Sequence, residues 1–216
     1  MTITWHGLSC FSIRTKTGVA DEAVVIIDPY ANETGLRFPR TLEADVVAVS
    51  ENHSHANNTE AVGGKPFIID TPGEFEVKGI FVYGVAAPRE NAKGKEKRQL
   101  FRIVSEHITI AHLGALDRSL TNEELSHFEH VDILLLPVGG GEVLDAKRAG
   151  ELIGQIEPRI VIPMFYDLPN LKMKLEPVEK FLKAVGAAKV ETIPRLKISK
   201  KDIPEEEVEF KVLARD

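Results

Sequence analysis

The sequence predicts an α/β protein in which two β-sheets pack face to face with helices outside them, a four-layer αββα sandwich. The first half of the chain contains short apolar segments separated by turns, and the second half alternates buried strands with helices. Neither a linker nor an internal repeat divides the sequence. This order of elements is typical of two-sheet sandwiches. We therefore expect one domain over residues 1–216, long enough to bury a full core.

The first half is predicted to be mainly β-structure. TITW, FSIRT and AVVIID alternate or run apolar, and the continuous apolar run ADVVAVS is typical of a strand buried on both faces. PFIID and GIFVYGVAA predict two further strands, with TPGEFEVKG as a tight hairpin that connects them. The polar, lysine-rich segment Pro88–Gln99 predicts a solvated loop, because it cannot bury enough apolar area to order itself.

The second half supplies three buried strands and three helices. The strands are predicted in HITIAHLG, VDILLLPVGGG and RIVIPMFY. A first helix begins after Thr121, because Thr121 and Glu124 have the spacing of a capping box. A second begins after Asp145, a favourable N-cap, and EPVEKFLKAVG predicts a third with Pro177 near its start.

Composition and charge restrict the class of protein. Hydrophobic residues make up 43% and charged residues 28%, as in soluble globular proteins, and a net charge of -6 argues against nucleic acid or anionic membranes as partners. The single cysteine, Cys10, excludes internal disulfides. Without a signal peptide or a membrane-length apolar segment, the sequence predicts a cytoplasmic protein. Its partner is expected to be a small molecule or protein that the sequence does not identify, with a homo-oligomer as one possibility.

Several segments, in their order and spacing, carry a resemblance to a known family. They are ITWHGLSCFSI, IIDPY, ADVVAVSENHSHANN, TPGEFEVKGIFVYGV, IAHLGALDRSLTNEEL, VDILLLPVGGG and EPRIVIPMFY. The chain resembles the metallo-β-lactamase fold superfamily over nearly its whole length, and within it the small bacterial Zn-dependent hydrolases related to ascorbate-phosphate lactonases. The resemblance implies an αββα fold with one or two zinc ions at the open edge between the sheets, where they activate water for hydrolysis.

The first ligand loop of this family reads His-x-His-x-Asp-His. When the chain is aligned through VAVS, only His53 has the residue type that the family pattern implies. Glu51 stands at the position of the first histidine, His55 at that of the aspartate, and Ala56 at that of the last histidine. The resemblance therefore implies a changed donor set in this loop.

Three later ligand positions also differ from the family pattern. Arg89 stands where a histidine follows the GVAA strand, Ala115 replaces the bridging aspartate after HLG, and Phe165 replaces the histidine of IPMHY. Arginine stays protonated and does not ligate metals. We assign the ancestral edge of the site to Glu51, His53, His55, Arg89, Ala115 and Phe165, and no residue is assigned a catalytic role.

These substitutions lead to a first hypothesis about function. The chain is a degenerate member that has lost the dinuclear zinc site and the hydrolase activity, binds no cofactor, and is retained as a binding or structural, oligomeric protein.

Two alternatives remain open. In one, the chain is a metal-dependent hydrolase with a rearranged mononuclear zinc site, in which Glu51, His53 and His55 are the ligands. Residues at alternate positions of an extended segment point the same way, which favours that set. In the other, a metal-free pocket binds an anion through Arg89 and His53, with Arg89 as the anion-binding candidate; Arg89 could instead pair with Glu51 or Glu90.

Overall fold

The computed structural model describes residues 1–20, 22–89 and 97–216. The described strands are, in chain order, β1 (Thr2–Gly7), β2 (Cys10–Thr15), β3 (Ala23–Ile27), β4 (Glu43–Ala48), β5 (Gly63–Ile69), β6 (Gly73–Val77), β7 (Ile80–Ala86), β8 (Gln99–Ser105), β9 (Ile108–His112), β10 (Ile133–Pro137), β11 (Ile160–Met164), β12 (Thr192–Ile193), β13 (Leu196–Lys197), β14 (Glu209–Phe210) and β15 (Val212–Leu213). The described α-helices are α1 (Asn122–Ser126), α2 (Ala146–Ile156) and α3 (Val178–Ala184).

Most of these strands belong to two large sheets. One has the order β13-β1-β2-β3-β4-β5 and the other β14-β11-β10-β9-β8-β7-β6, while β12 and β15 pair separately. Strands β3, β4 and β5 are parallel to one another, as are β9, β10 and β11. Strand β7 also runs in the direction of β9, because both are antiparallel to β8. The loops that follow β7, β9, β10 and β11 therefore all emerge at the same end of the strands of the second sheet.

One apolar core joins the two sheets. Large fully buried side chains come from both of them, including Phe11 and Ile27 in the first sheet and Phe101 in the second. Burying a side chain of this size contributes about 1.5–3 kcal/mol. A hydrogen bond of 2.7 Å between the hydroxyls of Thr15 and Ser105 links the sheets directly. The observed class, an α/β fold with two facing sheets, confirms the predicted sandwich.

The helix starts also agree with the sequence. Thr121 and Glu124 form both hydrogen bonds of a capping box at α1, and the Asp145 carboxylate accepts a hydrogen bond of 2.9 Å from the backbone N–H of Arg148 at α2. Helix α2 buries Ala149, Leu152 and other residues at helical spacing and packs against α3. Within the described residues, no helix is long and apolar enough to cross a membrane.

Two elements differ from prediction. The segment TPGEFEVKG contains an edge strand, β6, that pairs with β7, because its alternating glutamates and apolar residues suit a half-exposed sheet edge. Strand β8 was not predicted, yet it lies between β7 and β9. Of the predicted loop Pro88–Gln99, residues 90–96 lie outside the described residues, while Gln99 is the first residue of β8.

Candidate functional site

The candidate site lies where loops from both sheets meet. It combines the loop after β4 with the segments that follow β7, β9 and β11, and it brings together the six residues predicted to mark the site edge. Ligand sites in open α/β sheets form beyond the carboxyl ends of parallel strands, as here.

The loop after β4 turns back on itself and places Glu51 against His55. Backbone hydrogen bonds from His53 to Glu51, and from Ala56 and Asn57 to His53, form this turn. The predicted extended arrangement of residues 51–55 is therefore wrong, and the side chains meet because the chain turns. The Nε2 atom of His55 lies 2.7 Å from Oε1 of Glu51, and both side chains are buried.

The two histidines differ in their surroundings. The His55 side chain is 1% exposed, and its Nδ1 atom has no hydrogen-bond partner among the described residues. His53 is exposed, and the centre of its ring lies 4.2 Å from that of His55. Partial burial, and then the neighbouring His55, lower the pKa of His53. His53 is therefore a neutral imidazole near pH 7, the form in which histidine acts as a ligand or base.

Arg89 binds the same carboxylate. Its Nε donates to Oε2 of Glu51 and its Nη2 to Oε1, both over 3.1 Å. Burial alone would raise the pKa of Glu51, but the hydrogen bond and charge of His55, together with Arg89, outweigh it and hold that pKa below its usual value. Glu51 is thus an ionised carboxylate held between two nitrogen groups. An external anion bound at Arg89, the second alternative drawn from the sequence, would have to compete with Glu51 for the guanidinium. The other predicted partner of Arg89, Glu90, lies outside the described residues.

Arg98 is a buried part of the site that sequence reasoning missed. It is 2% exposed, and it donates to the carbonyl of Ala87 over 2.9 Å and to that of Ala115 over 2.8 Å. Its Nη2 also pairs with Asp117 at 2.7 Å. Arg98 therefore ties the segment after β7 to the loop after β9. In the sequence it is hidden in a run of charged residues that reads as solvated surface.

Ala115 and Phe165 complete the predicted edge. Ala115 is buried and offers only its carbonyl, which Arg98 occupies. Phe165 is buried with a φ of 55°, and its ring packs edge-on against His55 with 5.2 Å between ring centres. A positive φ is an outlier for a bulky residue and is sustained only where the surrounding structure enforces it. Phe165 therefore fills the space beside His55 with an apolar ring.

The backbone at the start of the loop is held by buried hydrogen bonds between Asp28 and Ser50. The Asp28 carboxylate accepts hydrogen bonds from the backbone N–H of Ser50 over 2.7 Å and from its hydroxyl over 2.8 Å. Burial raises the pKa of Asp28, while His112 and Ser50 oppose that rise. These bonds fix the backbone one residue before Glu51.

His112 and Cys10 are buried within the fold. His112 is fully buried, and its Nε2 lies 2.8 Å from the carbonyl oxygen of Ser9, at the end of β9. Cys10 is also fully buried, and burial raises the pKa of its thiol well above its usual value. A thiol of this kind stays protonated and unreactive at neutral pH.

Two cavities flank the Glu51–His55 pair. One, of about 620 Å³, is lined by Glu33, Thr34, His53, Ser54, His55, Gly141, Glu142, Lys172, Met173, Lys174 and Leu175. The other, of about 350 Å³, includes Glu51, Arg98 and Gln99 in its wall. Gly141 belongs to the glycine-rich segment that follows β10. The larger cavity carries charges of both signs and suits a polar molecule.

The donors of the loop fit a mononuclear metal ion in their chemistry. Two imidazoles and one carboxylate form a ligand set that catalytic zinc sites use. Among the residues that the structure describes, the buried Nδ1 of His55 has no hydrogen-bond partner, while its Nε2 is held by Glu51, and a metal-bound histidine typically contacts a carboxylate in this way. In the described part of the chain, however, no three histidine, cysteine or carboxylate side chains converge on one point. The carboxylate of Glu51 accepts hydrogen bonds from Arg89 rather than sharing a point with both histidines.

Comparison with known proteins identifies the relatives of the chain. A family model described as the beta-lactamase superfamily domain matches residues 2–165. A UPF0173 metal-dependent hydrolase of Thermoplasma acidophilum is 26% identical over 212 residues, covering 86% of this chain and 91% of the relative. A UPF0173 metal-dependent hydrolase of Thermodesulfovibrio yellowstonii is 25% identical over 244 residues, covering 91% of this chain and 89% of the relative.

A solved structure from Thermotoga maritima matches along the whole chain. It is assigned to the Zn-dependent hydrolases of the metallo-beta-lactamase superfamily, is 29% identical, and aligns with a TM-score of 0.79 over 98% of both chains. The resemblance to this superfamily and the predicted fold class are thereby confirmed.

These relatives overturn the first functional hypothesis. The prediction of a degenerate protein that has lost its zinc site and its hydrolase activity is wrong, because the relatives are named metal-dependent hydrolases. Their names also favour a metal cofactor over its expected absence. A mismatch with the residue types of a family pattern does not by itself show that metal binding is lost, because glutamate and histidine at the changed positions Glu51 and His55 are both metal-ligating residue types.

Proposed function

The chain belongs to the beta-lactamase superfamily domain family, and on this premise we propose that it is a metal-dependent hydrolase with a rearranged mononuclear site. In this proposal His53 and His55 hold the ion, Glu51 holds the opposite nitrogen of the His55 ring, and zinc is the metal that the Thermotoga maritima neighbour suggests. The site lies where the loops of both sheets meet. The relatives named above support the reaction class, and the contacts of His55 support the choice of residues.

The observation that carries the proposal is the state of His55. Nδ1 of His55 is buried and has no hydrogen-bond partner among the described residues, and a buried nitrogen is costly to leave unsatisfied because it has lost its contact with water. The other ring nitrogen, Nε2, is held by an ionised carboxylate at 2.7 Å, so Nδ1 is the nitrogen that remains for another partner. A metal ion at Nδ1, shared with the adjacent His53, would satisfy it.

The chain's own residues position the reaction. Glu51 fixes the orientation of the His55 ring, and Phe165 excludes water from one side of that ring. The cavity beside His53 offers lysine and glutamate side chains to a polar substrate. A divalent ion bound here would supply Lewis acidity toward the bond that is hydrolysed.

Metal analysis of the purified protein tests the proposal. Protein prepared without chelators should contain about one equivalent of zinc, manganese or iron per chain, as one mononuclear site requires. His53→Ala and His55→Ala should each lose most of that metal. His127→Ala, which removes an exposed histidine on the surface of the fold, serves as the matched control and should retain it. Equal metal content in all four proteins would rule out this site.

A hydrolase survey accompanies the metal analysis. Ester, lactone and phosphodiester substrates should be turned over by the metal-loaded protein, and the activity should fall when a chelator removes the ion. The absence of turnover in every class, with metal bound at His53 and His55, would contradict the reaction class and leave the metal site standing.

A further inference from the structure

We propose that the outer face of strands β6, β7 and β8 is a homodimer interface, on which a second copy of this chain packs about a two-fold axis parallel to β7. The side chains that define this β6–β8 face are Glu74 and Glu76 of β6, Phe81 and Tyr83 of β7, and Arg102 and Val104 of β8. The inference is independent of the proposed function, because none of these residues belongs to the metal site.

The register of the strands puts these side chains on the same side of the sheet. Tyr83 of β7 lies opposite Glu74 on one neighbouring strand and opposite Arg102 on the other. Directly opposed residues of antiparallel strands point to the same face. The Arg102 guanidinium lies over the Tyr83 ring, 5.2 Å from its centre, as this placement requires. The next row along the strands consists of Glu76, Phe81 and Val104.

The β6–β8 face is open in a single copy of the chain, unlike the rest of the sheet. Every residue of β10 and of β11 is buried, so both faces of the sheet are covered there. On β7 and β8 the side chains that face the core, such as Val82 and Ile103, are buried, whereas Phe81 is 45% exposed and Tyr83 is half-buried. Exposed apolar side chains that cluster on one surface mark an interaction site. A layer packed on this face would bury Phe81.

The charges of the face have no ion-pair partners within the described chain. Neither Glu74 nor Arg102 forms an ion pair with another described residue. The Nε atom of Arg102 is buried, and no described residue accepts a hydrogen bond from it. On one side of β7 the face is therefore acidic and on the other it is basic, with aromatic rings between.

A two-fold axis parallel to β7 makes this face complementary to itself. Rotation about the axis exchanges the β6 side with the β8 side and leaves each row opposite its own copy. Glu74 of one copy then lies over Arg102 of the other, twice in the dimer, and the two Phe81 rings meet at the axis. Sheets that pack face to face keep their strands within about 30° and lie about 10 Å apart, a gap that side chains of this length fill.

This self-complementarity is the reason for choosing a second copy as the occupant. Two-fold homodimers use the same patch on both subunits, so the patch must carry its own opposite charges across the axis. Glu74 and Arg102 meet this requirement. Charges matched in this way fix the register of an interface and exclude partners without the same pattern.

Sedimentation equilibrium of the full chain tests the proposal. A three-stranded face is small for an interface, so we expect a reversible dimer with a micromolar dissociation constant, measured from about 5 to 200 μM protein. Phe81→Lys puts two ammonium groups together at the axis and should raise the dissociation constant at least about tenfold. In its own chain the new lysine lies opposite Glu76, which suits the sheet.

Phe67→Lys is the matched control for Phe81→Lys. Phe67 is 50% exposed and lies on β5 in the other sheet, outside the β6–β8 face. The dissociation constant of this variant should stay within about threefold of the wild type, because its lysine does not enter the proposed interface. Circular dichroism checks that both variants fold.

Charge reversal tests the pairing across the axis. Glu74→Arg and Arg102→Glu each set like charges against one another in the dimer, and each should weaken it at least about tenfold. Combined in one chain, the two changes exchange the signs and should bring the dissociation constant back to within about threefold of the wild type. Damage to the fold by either change would not be repaired by adding the other.

The possible outcomes decide for or against this interface. A chain that stays monomeric over the whole concentration range would overturn the proposal. A dimer that Phe81→Lys leaves intact, or that Phe67→Lys weakens equally, would place the contact elsewhere and overturn it too. If Phe81→Lys does not fold, the charge-reversed pair carries the test, and a double variant without recovery refutes the proposal. The proposed function is tested separately, by the metal content of the His53 and His55 variants.

Discussion

His55 is held by Glu51 through a buried contact of 2.7 Å, and the opposite nitrogen of the His55 ring has no hydrogen-bond partner among the described residues. The two residues are four positions apart and meet because the loop after β4 turns. A histidine oriented in this way is prepared to bind something on its unpartnered side.

Removing the charge of Glu51 should destabilise the fold. Glu51→Gln removes the carboxylate charge that Arg89 and His55 share, while Asp117 stays 3.9 Å from the Arg89 guanidinium. Losing the charged acceptor of these hydrogen bonds should cost about 1–3 kcal/mol, which urea unfolding would measure. The exposed Glu60→Gln is the control and should change stability by less than about 0.5 kcal/mol. Equal stabilities of the two variants would show that the ion pair is not structurally important.

Acid should weaken the fold through His6. Burial holds the pKa of His6 at about 4, against an ordinary value of 6.5. Between these values the unfolded chain binds more protons than the folded chain, so stability falls as pH drops from 6.5 to 4. The difference corresponds to about 3 kcal/mol when the loss is complete.

Urea unfolding of His6→Gln at pH 7 and pH 4.5 tests this. Glutamine can keep a hydrogen bond to Ser12 but does not titrate. The variant should lose less stability between the two pH values than the wild type, whereas the exposed His127→Gln should lose as much. If His6→Gln lost as much stability between pH 7 and pH 4.5 as the wild type, the assignment of this pH dependence to His6 would be wrong.

The N-cap of α2 should contribute measurably to stability. Asp145→Ala removes the acceptor for the Arg148 N–H and should cost about 1 kcal/mol. Thermal unfolding would show this as a lower Tm. Lys147→Ala, on the exposed side of the same helix, should cost at most a few tenths of a kcal/mol. A loss of stability in Lys147→Ala as large as in Asp145→Ala would argue against a specific capping effect.

Much of the fold could be predicted from local patterns. The apolar runs of β4 and β10 predict strands from neighbouring residues alone. The caps at Thr121 and Asp145 likewise predict the starts of their helices from residues close in sequence. Strand β8 escaped prediction because it follows a lysine-rich segment, and only its last five residues, from Phe101 to Ser105, alternate between buried and half-buried. Sequence reasoning was weakest where charged residues are buried in pairs.

The site shows why. The six edge residues were named from the family pattern, and they do lie together, but their contacts depend on a turn and on pairing across loops. Arg98 and Asp117 are distant from Glu51 in sequence and read individually as surface charges. Only the assembled fold shows that Arg98 is buried and contacts three carbonyls and a carboxylate.

Anomalous diffraction at the zinc edge, from crystals of zinc-loaded protein, tests the central claim most directly. We predict a single strong peak at about 2.0–2.1 Å from Nδ1 of His55 and from a ring nitrogen of His53. Glu51 should keep its contact with Nε2 of His55, on the opposite side of the ring from the ion. A peak elsewhere on the protein would contradict the account. The absence of any peak near His55, with the His55–Glu51 contact unchanged, would also contradict it.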